Sequence, residues 1–246
     1  MLETLEAPSV ADQLSEAAPR PEIKLVSVLS APRFGPTDCF HSITNCLINY
    51  GIPLNKVGGA NWGQSLERAL DEAVAGGADW ILTWDYDTVI QPCQFERLIN
   101  LVGTHPEFDA FAPLEVRREC SDVLASFPLY YTKEQLFEDM EKCDVIDGRT
   151  AHFGCTLLRV EALRKMPKPW LHHVPAPNGG WGPGRMDDDI GFWHKLKASG
   201  GRLGIATKVC IGHSQIMVTW LLNDGQVVHQ HMNDYHKNGP PENVRK

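Results

Sequence analysis

Apolar stretches alternate with amphipathic stretches through the first half of the chain. Apolar runs at residues 23–30 and 52–57 predict strands, and the run at 80–84 predicts a strand buried on both faces. Between them, apolar residues recur at helical spacing, and Gly51 and the glycine pair at 76–77 mark the helix ends. This order of strands and helices predicts parallel strands joined by right-handed crossovers.

The second half continues the pattern less regularly. The predicted elements are a helix opened by Pro92, strands at 108–113, 151–160 and 203–211, and a helix at 187–199. A loop at 166–185, rich in Pro, Gly, Trp and His, separates the last helix from what precedes it. We predict one α/β domain at residues 23–237, with a mixed, mainly parallel sheet flanked by helices, between a flexible leader at 1–22 and a polar tail at 238–246.

Composition narrows the class of protein. The net charge of −8 argues against a protein that binds nucleic acid mainly through a basic surface. The seven cysteines include no Cys-x-x-Cys pair, which indicates reduced thiols rather than a disulfide framework or a zinc knuckle. The sequence has no apolar run long enough for a membrane span, and the leader lacks the features of a signal peptide. We therefore expect a cytoplasmic protein of a bacterium or a phage-infected host cell.

Two carboxylates follow the apolar run at 80–84. If the strand alternation continues, Asp85 and Asp87 point the same way and Tyr86 points the other way. Ligands of open α/β sheets bind outside the carboxyl ends of the strands. Two acids there suit a hard divalent cation, which in turn binds phosphate. An Asp-x-Asp pair also fits an ordinary acidic surface turn, so the pair alone leaves both interpretations open.

Three further features accompany this pair. An acidic run at 187–189 opens a helix, His213 follows a strand, and Arg68 lies on the helix before the Asp85 strand. Each has a simpler explanation: acids favour a helix N-terminus, and single His or Arg residues are common on surfaces. Together they suit a site in which Asp87 and His213 bind Mn²⁺ or Mg²⁺ and Arg68 binds a phosphate or a uracil-bearing group.

The sequence resembles the GT-A glycosyltransferases from about residue 24 to residue 213. Four segments carry the resemblance. Asn61-x-Gly63-x-Ser65-x-x-Arg68 followed by Asp85-x-Asp87 resembles a motif of the common inverting family, and residues 153–159 resemble the strand before the acceptor loop. Gly180-Trp181-Gly182 with Asp187-Asp188-Asp189 resembles a segment of galactosyltransferases, and residues 193–213 resemble the closing segment of polypeptide N-acetylgalactosaminyltransferases. The resemblance implies a GT-A (Rossmann-like) fold and transfer of a sugar from a nucleoside-diphosphate sugar, a UDP-sugar first of all, to an acceptor hydroxyl with Mn²⁺ or Mg²⁺.

The resemblance also implies residue roles. The implied metal ligands are Asp87 and His213, with Asp85 contacting the metal through water, or else the ribose or sugar. The implied donor-binding residues are Pro32, Arg33, Arg68, Asp85 and Trp181, and the acceptor side has Trp181 and Asp187. Asp189 or Asp188 faces the acceptor hydroxyl as the catalytic base. Because residues 183–186 lengthen the link between Trp181 and the acids, the choice of base stays open. Inversion or retention stays open as well, because the resembled families include both kinds of enzyme.

Other functions remain as alternatives. A nucleotidyltransferase or a dinucleotide-dependent dehydrogenase requires a Gly-rich loop after the first strand, which residues 31–37 match poorly. A catalytically degenerate sugar- or nucleotide-binding domain and a zinc enzyme built on His229, His231 and His236 are the others. The sequence leaves the acceptor open among a small molecule, a lipid-linked or cell-wall precursor, a protein and a modified phage DNA base. It also leaves the oligomeric state open.

Overall fold

The computed structural model describes residues 23–31, 35–117, 123–127 and 132–245. The leader at 1–22 lies outside the described residues. In chain order the elements are β1 (Leu25–Ser30), α1 (Thr37–Ile48), β2 (Leu54–Val57), α2 (Trp62–Ala75), β3 (Trp80–Asp85), β4 (Thr88–Val89), α3 (Pro92–Thr104), β5 (Ala110–Leu114), β6 (Ala125–Ser126), α4 (Lys133–Lys142), β7 (Val145–Gly148), β8 (Thr150–Ala151), β9 (Cys155–Arg159), α5 (Val160–Lys165), α6 (Asp188–Ala198), β10 (Leu203–Cys210), β11 (Gly212–His213), β12 (Met217–Leu221), β13 (Val227–His231) and α7 (Met232–Asn238).

Seven strands form the main sheet in the order β2-β1-β3-β9-β5-β10-β7. Strands β1, β2, β3, β5 and β10 run in one direction, whereas β9 and β7 run in the other. The first three strands are parallel and joined through α1 and α2, as the alternation of strands and helices predicts. The predicted fold class, a single α/β unit with a mixed, mainly parallel sheet flanked by helices, is confirmed.

Strand β3 lies inside this sheet, and both of its faces are covered. Ile81 belongs to the apolar cluster beneath α2 and α6, while Trp80, Leu82 and Trp84 belong to the cluster beneath α1 and α3. Each of these four side chains is at most 4% exposed. The continuous apolar run therefore reflects alternate side chains that enter two different cores.

The strand predicted at 151–160 divides into two pieces. Strand β8 pairs with β6 outside the main sheet, and β9 joins the main sheet between β3 and β5. Residues 152–154 leave the strand conformation between them, so that His152 turns into the interior. A period-two pattern continues through such a break, and the sequence therefore shows one strand where the structure has two.

The C-terminal part forms a separate hairpin of β12 and β13 with α7 beside it. The predicted polar tail returns to this hairpin: Leu222 bridges Val244, and the Arg245 amide donates to the Leu221 carbonyl. Among the residues that the structure describes, no helix is both long and apolar enough to cross a membrane.

The loop between α5 and α6 is anchored to α2 by one carboxylate. Glu67 accepts hydrogen bonds from the backbone amides of Trp170 and Leu171, at 2.8 and 2.7 Å. The amide groups at this point of the loop thereby find their partners on the helix rather than within the loop. This contact fixes the loop segment immediately before His173.

We expect Glu67→Gln to destabilise the protein, because the amide retains one acceptor oxygen where the carboxylate supplies two. Hydrogen bonds to a charged group contribute roughly 1.5–3 kcal/mol each, so the free energy of unfolding should fall by about that amount. Urea denaturation measures the change. Glu72→Gln, at an exposed position of the same helix, serves as the control. Equal stabilities of the two variants would remove the anchoring role from Glu67.

Candidate functional site

The first feature of the site is a turn at the carboxyl end of β3. The strand ends at Asp85, residues 86–87 form the turn, and β4 begins at Thr88. Strand β4 pairs antiparallel with β11, which sets His213 opposite Thr88. The Ser214 amide donates to the Asp87 carbonyl at 2.8 Å, and His213 Nε2 lies 3.2 Å from Asp87 Oδ2. This two-stranded ribbon therefore brings together two side chains that are far apart in sequence.

Asp85 and Asp87 have different partners. Because the strand ends at Asp85, the turn that follows re-aims Asp87 toward His213. Asp85 Oδ1 instead accepts a hydrogen bond from Trp62 Nε1 at 3.0 Å, at the start of α2. Burial raises the pKa of Asp85 to about 6, and the Trp62 hydrogen bond opposes this rise. Asp85 is thus tied to α2 and Asp87 to β11.

Two buried residues beside this turn escaped the sequence analysis. Glu115 directly follows β5 and is 3% exposed; its Oε2 lies 2.8 Å from His152 Nδ1 and its Oε1 lies 3.7 Å from His213 Nδ1. The signal for Glu115 was a carboxylate directly after a buried strand, the same signal that identified Asp85. His152 gives no signal in the sequence, because the alternating pattern continues through the break between β8 and β9.

The chemistry of these side chains fits a divalent cation. Asp87 and Glu115 are buried and Asp85 is half-buried beside them, and such a concentration of negative charge requires compensation. Asp87 Oδ2 and His213 Nε2 approach each other as a hard oxygen and an imidazole nitrogen, a donor set that suits Mn²⁺ or Mg²⁺. Within the described ranges, no three His, Cys, Asp or Glu side chains are clustered so as to hold a metal ion. The structure supplies a ligand pair with Asp85 beside it.

The charge state of His213 reflects the same neighbours. Its hydrogen bond to Asp87 raises the pKa of His213, and the charge of Glu115 acts in the same direction, whereas burial opposes both. An imidazole between two carboxylates holds a proton firmly. A cation can bind at Nε2 only when that nitrogen carries no proton.

The acidic run 187–189 divides its three carboxylates among different partners. Asp187 precedes α6 and makes a double hydrogen bond to Arg185, at 2.7 and 3.3 Å. Asp188 is 7% exposed and packs on Gly63 near the start of α2, where an added Cβ would lie 1.9 Å from Asp188 Oδ2. This close approach explains why a glycine stands at position 63.

Asp189 has a different environment from its two neighbours. Burial raises the pKa of Asp189, while a hydrogen bond from the Ile190 amide, at 2.8 Å, opposes that rise. A carboxylate with a raised pKa is a better proton acceptor than an exposed one. Of the three acids, Asp189 therefore has the environment that most favours a general base.

Trp181 lies in a loop that closes on itself. Val174 and Met186 pair through two backbone hydrogen bonds, at 2.9 and 2.8 Å, and so join the two ends of the loop. The Trp181 ring is 60% exposed and meets the ring of His173 edge-on, with 6.0 Å between centroids. His173 Nε2 lies 3.5 Å from Asp188 Oδ2, so the loop, His173 and α6 form one cluster. His173 is a second histidine that the sequence analysis missed.

The remaining predicted donor residues are placed less directly. Arg68 is exposed, and its guanidinium donates to the Gly58 carbonyl at 3.4 Å, in the loop between β2 and α2. Pro32 and Arg33 lie outside the described residues. Of the proposed zinc histidines, His229 Nδ1 pairs with the Thr219 hydroxyl at 3.0 Å in the β12–β13 hairpin.

A cavity of about 660 Å³ opens elsewhere in the molecule. Its lining includes Leu25 and Trp80, the first residues of β1 and β3, whereas Asp85 is the last residue of β3. The cavity therefore lies at the opposite end of the strands from the carboxylates. The candidate site is identified by its side chains, and this cavity is not part of it.

Comparison with protein-family models gives no match, and comparison with curated proteins gives none either. Solved structures do match. A197 from STIV superposes with a TM-score of 0.54 at 14% identity, over 84% of this chain and 94% of that chain. This likeness shows a shared fold.

Two further matches are weaker. The structure of GalNAc-T7 with UDP, GalNAc and Mn²⁺ has a TM-score of 0.48 at 11% identity, over 78% of this chain and 44% of that chain. A glycosyltransferase involved in glycosylation of the major capsid of PBCV-1 has a TM-score of 0.42 at 9% identity, over 76% and 92%.

Proposed function

We propose that this protein is a metal-dependent glycosyltransferase that moves a sugar from a nucleoside-diphosphate sugar to an acceptor hydroxyl. The observation that carries the proposal is the meeting of Asp87 and His213 beside Asp85, at the carboxyl ends of the strands. Because the sequence motifs resemble those of GT-A glycosyltransferases, for which a UDP-sugar is the expected donor, UDP is the first nucleotide to test.

Asp87 and His213 would hold Mn²⁺ or Mg²⁺, which when bound neutralises the negative charge of the departing diphosphate. Asp85 keeps its carboxylate beside this pair because Trp62 holds it there, and so contacts the ribose or the sugar of the donor. Trp181 and its loop, which contact α6 through His173 and Asp188, would cover the donor and the acceptor. These side chains orient the donor and limit the access of water to it.

Asp189 acts on the acceptor in the inverting form of the reaction. The bond from the sugar C1 to the diphosphate oxygen breaks, the acceptor oxygen bonds to C1, and the hydroxyl proton passes to the Asp189 carboxylate. The raised pKa of Asp189, which burial causes, favours this proton uptake. Asp188 lies next to it and fixes the start of α6 against α2.

Ligand-induced stabilisation tests the donor class. We expect UDP with Mn²⁺ to raise the midpoint temperature of thermal unfolding, and EDTA to return it to the value of the protein without ligand. A ligand at about 100 times its dissociation constant stabilises by roughly 2.7 kcal/mol. GDP, CMP and TDP, each with and without Mn²⁺, are the comparison set. A shift with another of these nucleotides would correct the donor, and the lack of any shift would favour a degenerate domain.

A further inference from the structure

Glu115 is a buried carboxylate that the proposed reaction does not use. It is 3% exposed, and a buried charge is costly unless it is paired and hydrogen-bonded. Its two oxygens are divided between two imidazole rings, with Oε2 at 2.8 Å from His152 Nδ1 and Oε1 at 3.7 Å from His213 Nδ1. The charge of Glu115 therefore acts on the Nδ1 edge of the His213 ring.

Each of the two ring nitrogens of His213 lies against an oxygen that can accept a hydrogen bond. On one side, Asp87 Oδ2 lies 3.2 Å from Nε2 and attracts a ring proton to that nitrogen. On the other side, the Val116 carbonyl lies 3.2 Å from Nδ1, with Glu115 behind it, and both attract the proton to Nδ1. A neutral imidazole carries one proton, and only a nitrogen without a proton can bind a cation.

We propose that Glu115 is a positioning residue that keeps the ring proton of His213 on Nδ1, so that the lone pair of Nε2 is available beside Asp87. Glu115 does not share a cation with Nε2, because it lies at the Nδ1 edge of the ring. The inference rests on the proposed function, in which His213 and Asp87 hold the metal. Its place is that of the outer carboxylate that orients a ligating histidine.

His152 holds Glu115 in this place from behind. Its Nε2 pairs with the Pro113 carbonyl at 2.9 Å, and its Nδ1 lies against Glu115. Gly154 leaves the space for this contact, since an added Cβ would lie 3.0 Å from both Glu115 Oε2 and His152 Nδ1. The break between β8 and β9 thus supplies both the histidine and the glycine that the arrangement requires.

Nuclear magnetic resonance of the His213 ring tests the proposal. Long-range ¹H–¹⁵N correlation of the metal-free protein at alkaline pH reports which ring nitrogen carries the proton, and the His213 signals are identified by their loss in His213→Gln. We expect Glu115→Gln to lower the fraction of rings with the proton on Nδ1. We also expect Mn²⁺ affinity, measured by electron paramagnetic resonance of free Mn²⁺, to fall by roughly 10–100-fold, as for other outer partners of metal ligands.

Glu107→Gln is the matched control, because Glu107 pairs with His105 at 3.3 Å on the surface. An unchanged Nδ1 fraction in Glu115→Gln overturns the proposal, whatever the Mn²⁺ affinity does. If Glu115→Gln fails to fold, His152→Gln, which releases Glu115, should lower the same fraction, and an unchanged fraction there overturns the proposal as well. A wild-type protein that binds no Mn²⁺ contradicts the proposed metal site and leaves the tautomer result to decide this inference separately.

Discussion

Asp87→Ala is expected to abolish the Mn²⁺-dependent stabilisation by UDP. The substitution removes a carboxylate that lies 3.2 Å from His213 Nε2, so the ligand pair no longer exists. Loss of a direct ligand should weaken Mn²⁺ binding by more than the roughly 10–100-fold that loss of an outer partner causes. Free Mn²⁺ measured by electron paramagnetic resonance gives the affinity, and thermal unfolding with UDP gives the linked donor binding.

His213→Gln should weaken Mn²⁺ binding in the same way, because it removes the other ligand of the pair. Asp224→Ala, an exposed acid in the turn of the β12–β13 hairpin, is the control and should bind Mn²⁺ as the wild type does. If both site variants bind Mn²⁺ with wild-type affinity, the metal site lies elsewhere and the proposed role of this pair is wrong.

Gly63→Ala is expected to reduce sugar transfer by about 100-fold or more, although alanine is the better helix former. Alanine in place of glycine inside a helix contributes roughly 0.5–1 kcal/mol. Against this, the added Cβ would lie 1.9 Å from Asp188 Oδ2 and 2.9 Å from Asp188 Cγ, and overpacking costs typically about 1–3 kcal/mol. The clash therefore dominates, and it displaces the start of α6, where a misplacement of about 1 Å can cost ~10²-fold in rate.

Gly103→Ala is the matched control for this substitution. Gly103 also lies in a helix, and no heavy atom lies within 4 Å of its added Cβ. It should raise the free energy of unfolding by about 0.5–1 kcal/mol and leave transfer unchanged. Urea denaturation and release of UDP from a UDP-sugar with Mn²⁺ measure the two properties. A Gly63→Ala variant that matches Gly103→Ala in both would show that Asp188 does not need this glycine.

Features that depend on neighbouring residues could be predicted without the structure. The apolar run at 80–84 specified a doubly buried strand, because side chains alternate and both faces are covered. Asn followed three residues later by Gln is a local signature of a helix start, and the Asn61 side chain accepts from the Gln64 amide at the start of α2. The order of strands and helices then fixed parallel pairing of β1, β2 and β3, since short crossovers permit few other arrangements.

Which side chains meet in the site follows from contacts between distant segments. Asp85 accepts a hydrogen bond from Trp62 and Asp87 lies against His213, and strand alternation names neither partner. Glu115 lies against His213 only because β5 and β11 end at the same edge of the structure. Local patterns record the periodicity of each segment but not the direction of a side chain after a turn or the pairing of distant segments. Those depend on contacts between residues far apart in the chain, and they determine the site.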